Sequence, residues 1–258
     1  ILDNSVGGKV DIVVERGGEK VQQTLPVGDL HAITPSEFFE FGDAVVHTLS
    51  YQMARHFNAP VSGVYVANPG YVLNAAGVPR GAVISSVNGK PVATMAEFRE
   101  IVAALPQGAR AALRYSTLDD PKGSETRVMR MDRAWFPAKV CRRDDRTGLW
   151  PCEELAAAPA AASVQPARTT FVTGNDRRAN EIAASLVLVT FDMPFSVAGI
   201  TERNYHGTGV IVDAERGLVV VDRNTVPVAA GDVRLTFGGS IEVPGKVEYV
   251  HPLHNLSV

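Results

Sequence analysis

Two segments of the chain alternate apolar and polar residues around a polar turn, which is the pattern of a β-hairpin. The first, "KVDIVVERGGEKVQQTLPV", covers residues 9–27 and turns at two consecutive glycines. The second, "ARAALRYSTLDDPKGSETRVMRM", covers residues 109–131 and has a longer polar turn. Their similarity indicates an internal repeat of one module, of which the first copy is cut short.

The segment between the hairpins predicts strands, a short helix and a tight turn. Residues 44–57, "AVVHTLSYQMARHF", begin as a strand and continue as a helix for which Ser50 is a suitable N-cap. In residues 74–92, "NAAGVPRGAVISSVNGKPV", a strand is followed by Asn88-Gly89, a dipeptide favoured in two-residue hairpin turns.

A second helix is predicted in "TMAEFREIVAAL", residues 94–105. Thr94 and Glu97 have the spacing of a capping box, in which each side chain bonds a backbone N–H of the first turn. Apolar residues then recur at intervals of three and four, the stripe of an amphipathic helix: Met95, Phe98, Val102 and Leu105.

The composition changes after Leu155. Residues 156–168, "AAAPAAASVQPAR", contain two prolines and predict an extended linker. Residues 169–258 then present a series of short strands, beginning with "SLVLVTFDMPF", "GTGVIVD" and "GLVVVDR".

Charge and hydropathy exclude two classes of partner. The 258 residues carry a formal net charge of −3, so there is no basic excess to neutralise the phosphates of a nucleic acid. The longest apolar run, residues 184–191, is far shorter than the roughly 20 residues of a membrane-spanning helix. Because the chain opens without a methionine and stops within a predicted strand, we treat it as a fragment. Peptides or proteins are the expected partners.

Two cysteines, Cys141 and Cys152, flank "RRDDRTGLWP". Either they form a disulfide that closes a short loop, worth roughly 2 to 3 kcal/mol, or they are reduced thiols. Two cysteines are too few for a structural zinc site. His251 and His254 are three apart, but in a strand such residues point to opposite faces, so we expect no metal site there.

Several motifs resemble the HtrA/DegP serine proteases. "GVYVANPG" and "AAGVPRGAVISSVNGKPVATMAEF" are similar to the PDZ domain of that family over residues 36–133. "CRRDDRTGLWPCEEL" and the final strands are similar to the large fungal and plant subfamily, which has two protease domains and several PDZ domains. The resemblance implies a mainly β fold with short helices, in which PDZ-like domains precede a partial trypsin-like β-barrel.

The resemblance also implies a division of the chain into four parts. These are the C-terminal hairpin of a first PDZ domain at 1–33, a PDZ domain at 36–133, a connector at 134–168 and the truncated first barrel of a degenerate trypsin-like domain at 169–258.

The degenerate domain is expected to lack catalysis. "HGTGVIVDAERGLVVVDRNTV" matches the family pattern that contains the catalytic histidine, and the match places Asn224 at that position. Asn255 falls at the aspartate position. An amide neither accepts a proton near neutral pH nor carries the charge that stabilises an imidazolium, so both roles are lost. We therefore expect no catalytic residue in this chain.

For the PDZ domain the resemblance implies peptide capture by strand addition, between the strand that starts at Ala44 and the helix of residues 95–105. Asp43 lies in the loop that would bind a terminal carboxylate, and it would repel one. Internal segments, or another part of the same protein, are therefore the better candidate ligands. The candidate binding residues are Phe41, Gly42, Asp43, Ala44, Val46, Phe98 and Val102.

Two functions follow from this sequence. In the first, the chain is a non-catalytic peptide-binding and domain-docking region of an HtrA-like serine endopeptidase involved in protein quality control. In the second, it belongs to a protease domain that still cuts with residues outside these limits. The expected partners are peptides or unfolded protein segments, other domains of the same protein and copies of itself, with no cofactor or metal. Similar proteins occur in the nucleus of fungi and the chloroplast of plants, and the sequence does not separate these compartments.

Overall fold

The computed structural model describes residues 3–156, 167–171, 173–200 and 202–258. The chain divides into two compact units, Ile1–Ala161 and Ala162–Val258. Most of the predicted linker at 156–168 lies outside the described residues. Among the described residues, none of the helices has the length and apolar character that crossing a bilayer requires.

The described residues of the first unit form two sheets, three short α-helices and one 3-10 turn at Asp3–Ser5. Its elements are β1 (Lys9–Arg16), β2 (Glu19–Pro26), β3 (Glu37–Phe41), β4 (Ala44–Thr48), α1 (Tyr51–His56), β5 (Val64–Asn68), α2 (Val72–Ala75), β6 (Ala82–Val87), β7 (Lys90–Pro91), α3 (Met95–Ala103), β8 (Arg110–Thr117), β9 (Glu125–Arg130), β10 (Lys139–Arg142) and β11 (Cys152–Glu154).

The predicted first hairpin is confirmed. β1 and β2 pair along their whole length, and Gly17 and Gly18 form the turn with the positive φ angles that such a turn requires. The two strands make a separate two-stranded sheet. Several of their apolar side chains are exposed: Val13, Val14, Val21 and Leu25.

The larger sheet has the order β11-β10-β3-β4-β5-β6-β8-β9, with β7 paired to β6, and all its pairs are antiparallel. Its core contains alternate residues of the central strands and the apolar stripe of α3. Phe39, Ile84 and Leu113 are fully buried there. A second, smaller cluster of buried apolar residues lies beside α1 and includes Leu49 and Ala54.

Local signals read from the sequence are confirmed in this unit. The Ser50 hydroxyl accepts a hydrogen bond from the Met53 backbone N–H at the start of α1. Thr94 and Glu97 form both halves of the capping box of α3. Asn88 has a φ of 49°, as a two-residue turn between β6 and β7 requires.

The second unit is a five-stranded antiparallel sheet with one helix, in the order β14-β13-β12-β15-β16. β14 and β16 lie at its two ends, so the strands described in this unit do not close into a barrel. The predicted mainly β fold is confirmed. The elements are α4 (Arg177–Ala183), β12 (Leu186–Asp192), β13 (Asn204–Asp213), β14 (Leu218–Val220), β15 (Asp232–Phe237) and β16 (Ile241–Gly245).

The interior of the second unit is only partly filled. A pocket of about 770 Å³ that is open to solvent on one side is lined by apolar residues, including Leu218, Leu235 and Phe237, and by the charged residues Arg216 and Lys246. Beside it the described residues form a small buried cluster that contains Val187, Val189, Phe191, Met193, Val221 and Val226.

Candidate functional site

The groove expected between β4 and α3 is already filled. β4 pairs with β5 on one edge and with β3 on the other. A peptide can therefore add to β4 only if one of these strands is displaced, and peptide capture in this groove stays a prediction. The groove is filled because the two-residue turn at Gly42-Asp43 folds β3 back onto β4, so that Phe41 faces Ala44.

The apolar residues predicted to line the groove lie in the core of the unit. None of the five is more than 1% exposed, so a ligand does not reach them while β3 is in place. Their role in binding stays a prediction that requires β3 to move. The five residues are Phe41, Ala44, Val46, Phe98 and Val102.

β3 contacts α3 as an extended ligand would. The Phe98 ring of α3 lies 5.5 Å from the Phe41 ring and 6.4 Å from the Phe39 ring. At the other end of β3, Arg99 Nη1 donates to Glu37 Oε1 at 3.0 Å, and both side chains are about one quarter exposed. Two aromatic anchors and one acidic residue therefore hold β3 against the helix.

The outer edge of β3 is covered as well. β10 pairs with it, and Arg142 Nε donates to the second carboxylate oxygen of Glu37 at 2.8 Å. Lys139 and Glu40 form a further ion pair at 2.9 Å. Glu37 thus joins α3 on one side to β10 on the other. The sequence showed these charges, but which strands become neighbours is a tertiary property.

The structure joins Cys141 and Cys152 in a disulfide between β10 and β11, which decides the alternative left open by the sequence. Cys141 is fully buried, and Cys152 is exposed. The Trp150 ring, in the loop between these strands, lies 5.3 Å from the Phe38 ring of β3.

The Gly42-Asp43 turn is packed rather than open. The Gly42 carbonyl accepts hydrogen bonds from the backbone N–H groups of Tyr71 and Val72, each at 3.0 Å. Gly42 itself is buried, whereas Asp43 is exposed. The turn is therefore not an accessible loop for a terminal carboxylate, whatever the charge of Asp43.

The two positions predicted to be degenerate lie near one another in the second unit. Asn224 is exposed in the turn after β14, and its backbone N–H donates to Asp222 Oδ1 at 2.8 Å. Asn255 Oδ1 accepts from the Arg223 backbone N–H at 2.9 Å. Asn255 thus contacts the residue that precedes Asn224. The chemistry available is hydrogen bonding by two amides, with neither a base nor a carboxylate at these positions.

Residues that the sequence reading did not single out hold this turn in shape. The Asp222 carboxylate accepts from the Thr225 backbone N–H and hydroxyl, so it acts as a local cap. The Arg223 guanidinium donates to the His251 and Pro252 carbonyls. The buried Ser257 hydroxyl donates to a backbone carbonyl of the same turn. The run of four polar residues between two valines in "VDRNTV" was the available sequence signal for a turn.

The expectation that His251 and His254 point to opposite faces is wrong. The segment turns instead of continuing as a strand, and the two rings lie 4.5 Å apart. His251 Nδ1 accepts the backbone N–H groups of Leu253 and His254, which accounts for the bend. Across the described residues, no group of three or more histidine, cysteine, aspartate or glutamate side chains has the arrangement of a metal site.

Two acidic groups of the first unit have shifted pKa values. Hydrogen bonds from the backbone N–H groups of Ala93 and Thr94 lower the pKa of Glu97. The Arg143 side chain, followed by that of His31, lowers the pKa of Asp145 in the loop between β10 and β11. Both shifts favour the charged carboxylate, so these contacts are strongest above acidic pH.

Residues 32–108 match the family described as a PDZ-like domain. The match includes the β3–β4 hairpin and α3, so the filled groove lies within it. The fold and the match together define a protein with a PDZ-like domain.

Along its whole length the chain is similar to fungal serine proteases. It is 37% identical to the pro-apoptotic serine protease NMA111 of Coccidioides immitis, and the alignment covers 100% of this chain and 25% of that protein. The corresponding protease of Aspergillus clavatus is also 37% identical, and that of Pyricularia oryzae is 35% identical. Each alignment covers 100% of this chain and 26% of the relative. The chain thus spans about a quarter of the length of the curated relatives it matches. The resemblance to HtrA-like serine proteases is confirmed.

Proposed function

We propose that this chain is a non-catalytic peptide-binding and domain-docking region of an HtrA-like serine endopeptidase. The observation that carries the proposal is the position of β3, an extended segment held by β4 through backbone pairing and by α3 through Phe98 and Arg99. This is the arrangement of peptide recognition by strand addition, here with a segment of the same chain as the ligand.

The absence of catalysis is the second part of the proposal. Asn224 and Asn255 occupy the positions that the resemblance assigns to the general base and its orienting carboxylate. Loss of triad members in working enzymes lowers the rate by several powers of ten. The hydrogen bonds of Asp222 and Arg223 account for the persistence of the turn without its chemistry.

The proposal gives a different role to each predicted domain. Residues 36–133 hold extended segments, and residues 169–258 dock other domains of the parent protease as part of a degenerate trypsin-like domain. The exposed apolar residues of β1 and β2 are what the proposal expects if residues 1–33 complete a first PDZ domain. The parent protein acts in protein quality control, and its partners are unfolded segments and copies of itself.

One experiment separates holding from cutting. Fluorescently labelled, unfolded casein is mixed with the purified chain, and binding is followed by anisotropy while cleavage is followed by gel. We expect bound, intact casein and no serine labelled by a fluorophosphonate probe. Cleavage, or labelling that prior denaturation abolishes, would support the alternative of an active protease domain. Failure to bind casein or any other extended segment would contradict the holding role.

A further inference from the structure

β3 behaves as a resident ligand of its own groove. Its inward residues are Phe39 and Phe41, both at most 1% exposed, and its pairing partner β4 would otherwise have a free edge. A segment arriving from solution must displace these contacts. The turn at Gly42-Asp43 tethers β3 at high effective concentration, so displacement is unfavourable unless something loosens the strand.

A second segment holds β3 from outside. We name residues 139–154 the clasp: β10, β11 and the loop between them. The clasp pairs with β3 through β10, binds Glu37 through Arg142, and places Trp150 against Phe38. From its loop, Arg143 donates to the Pro35 carbonyl just before β3. Release of β3 therefore requires the clasp to loosen.

The disulfide lies at the centre of the clasp. Cys141 is paired with Phe38 of β3 on one side and with Cys152 of β11 on the other. All three residues of β11 are exposed, so this strand has little core packing of its own to hold it in place. The exposure of Cys152 gives a thiol reductant access to its sulfur.

We propose that the Cys141–Cys152 disulfide is a redox-sensitive latch that keeps β3 in the β4–α3 groove, and that reduction makes the groove receptive to other extended segments. The inference rests on the proposed peptide-holding function. In the step, a dithiol reductant attacks Cys152 and passes through a mixed disulfide. The protein gains two electrons and two protons as two thiols, and the reductant becomes a cyclic disulfide.

The replaced strand also defines the ligand chemistry. An incoming segment of the same class is internal rather than C-terminal, because the packed turn leaves no accessible carboxylate loop. It carries aromatic residues at alternate positions to contact Phe98, and an acidic residue near its start to pair with Arg99. The sequence of residues 36–41, "SEFFEF", is the template.

The test measures binding of an acetylated, amidated and fluorescent SEFFEF peptide by anisotropy, with the oxidised protein and after dithiothreitol. Loss of a short-loop disulfide removes a restraint equivalent to roughly 30- to 150-fold in an equilibrium constant. We expect binding to strengthen by about that factor on reduction. A control peptide, SEFSES, lacks the two anchoring aromatics and is expected to bind weakly in both states.

Three variants separate the latch from general effects of the reductant. Cys141→Ala combined with Cys152→Ala is expected to bind as the reduced protein does, with no response to dithiothreitol. Arg142→Ala removes the ion pair to Glu37 and is expected to strengthen binding of the oxidised protein several-fold. Arg146→Ala, in the same loop with a side chain 89% exposed, is the matched control and is expected to change nothing.

Hydrogen exchange of the backbone amides shows whether the response is local. Reduction should raise exchange in β3, β10 and β11 while β6 and β8 stay protected. A rise across all five strands, or two free thiols in the folded protein before any reductant is added, would overturn the latch. Equal peptide binding in both redox states would overturn it while leaving the peptide-holding function intact. No binding by any form, including the Arg142→Ala variant, would instead overturn peptide holding by this groove.

Discussion

The two units differ in how completely their apolar side chains are covered. In the first unit the space beside β4 is filled by β3, a strand only two residues away along the chain, and the inward residues of β3 belong to the main apolar core. In the second unit a pocket of about 770 Å³ lies beside β14, β15 and β16. The comparison shows that a β-rich domain can close its interior with a neighbouring strand where a tight turn allows it. Without such a strand, part of an apolar face stays uncovered.

The largest expected difference between the units is in how much the loss of one aromatic ring lowers the free energy of unfolding. Phe98→Ala deletes a fully buried ring that contacts Phe39 and Phe41, and we expect it to lower the free energy of unfolding by about 3 to 5 kcal/mol. Phe237→Ala, at the half-buried wall of the pocket, should cost about 1 kcal/mol. Urea denaturation measures both.

The chain offers a separate signal for that measurement. Both tryptophans, Trp135 and Trp150, lie in the first unit, so their fluorescence reports on that unit, while circular dichroism reports on both. Equal destabilisation by the two alanine substitutions would contradict the contrast between a filled and a partly open interior.

A second prediction compares glycines in the turns of the two units. Gly42→Ala places a methyl group against the Val72 side chain at a φ of 51°, and we expect a loss of about 3 kcal/mol. Gly217→Ala, at a φ of 67° with open space around the new carbon, should cost only about 1 kcal/mol. Thermal melting of the purified variants is the measurement, and a similar loss at both sites would show that Gly42 is not tightly packed.

A smaller effect concerns pH and the capping box of α3. Hydrogen bonds from the Ala93 and Thr94 backbone hold the pKa of Glu97 below its ordinary value of about 4.3. Because the folded pKa is the lower one, the stabilisation is present above pH 4.3 and is lost as the pH falls through the folded pKa.

We therefore expect Glu97→Gln to lower the melting temperature slightly at pH 7 and to have a progressively smaller effect as the pH falls through the folded pKa of Glu97. Glu100→Gln, at an exposed position of the same helix, is the control and should have no such pH dependence. A Glu97→Gln effect of the same size at pH 7 and pH 3 would show that its charge contributes nothing to the cap.

No gain of protease activity is expected when the histidine and aspartate of the protease pattern are introduced at positions 224 and 255. Asn224→His combined with Asn255→Asp supplies a base and a carboxylate. Under the proposed function, however, the chain has no serine nucleophile for the new histidine to activate. We expect casein cleavage to stay at background, with the same melting temperature within a degree or two. Cleavage above background in this double variant would contradict the proposal for the second unit.

Elements whose signal is local could be predicted from the sequence. The first hairpin, the N-cap Ser50 and the capping box at Thr94 depend on residues within a few positions of one another, and each is confirmed. The peptide groove could not be predicted in the same way, because its edge is closed by the pairing of β3 with both β4 and β10.

The sequence does contain one local signal for the pairing of β3 with β4. Gly42-Asp43 lies between two apolar runs, a pattern that favours a two-residue hairpin and would have placed β3 beside β4. By contrast, no sequence pattern alone brings Arg142 to Glu37, since the two residues are distant along the chain. The bend at His251 depends on its ring accepting backbone N–H groups, which strand periodicity does not describe.

The first hairpin has a consequence for solubility. β1 and β2 form a sheet of their own, and each has an edge that the described residues leave unpaired. Such edges and exposed valines invite pairing between molecules, which is how β-rich proteins aggregate. Charged side chains stand at both sides of the turn and discourage flat stacking: Glu15, Arg16, Glu19 and Lys20. Replacing these four charged residues with neutral ones is expected to lower the solubility of the protein without changing its fold.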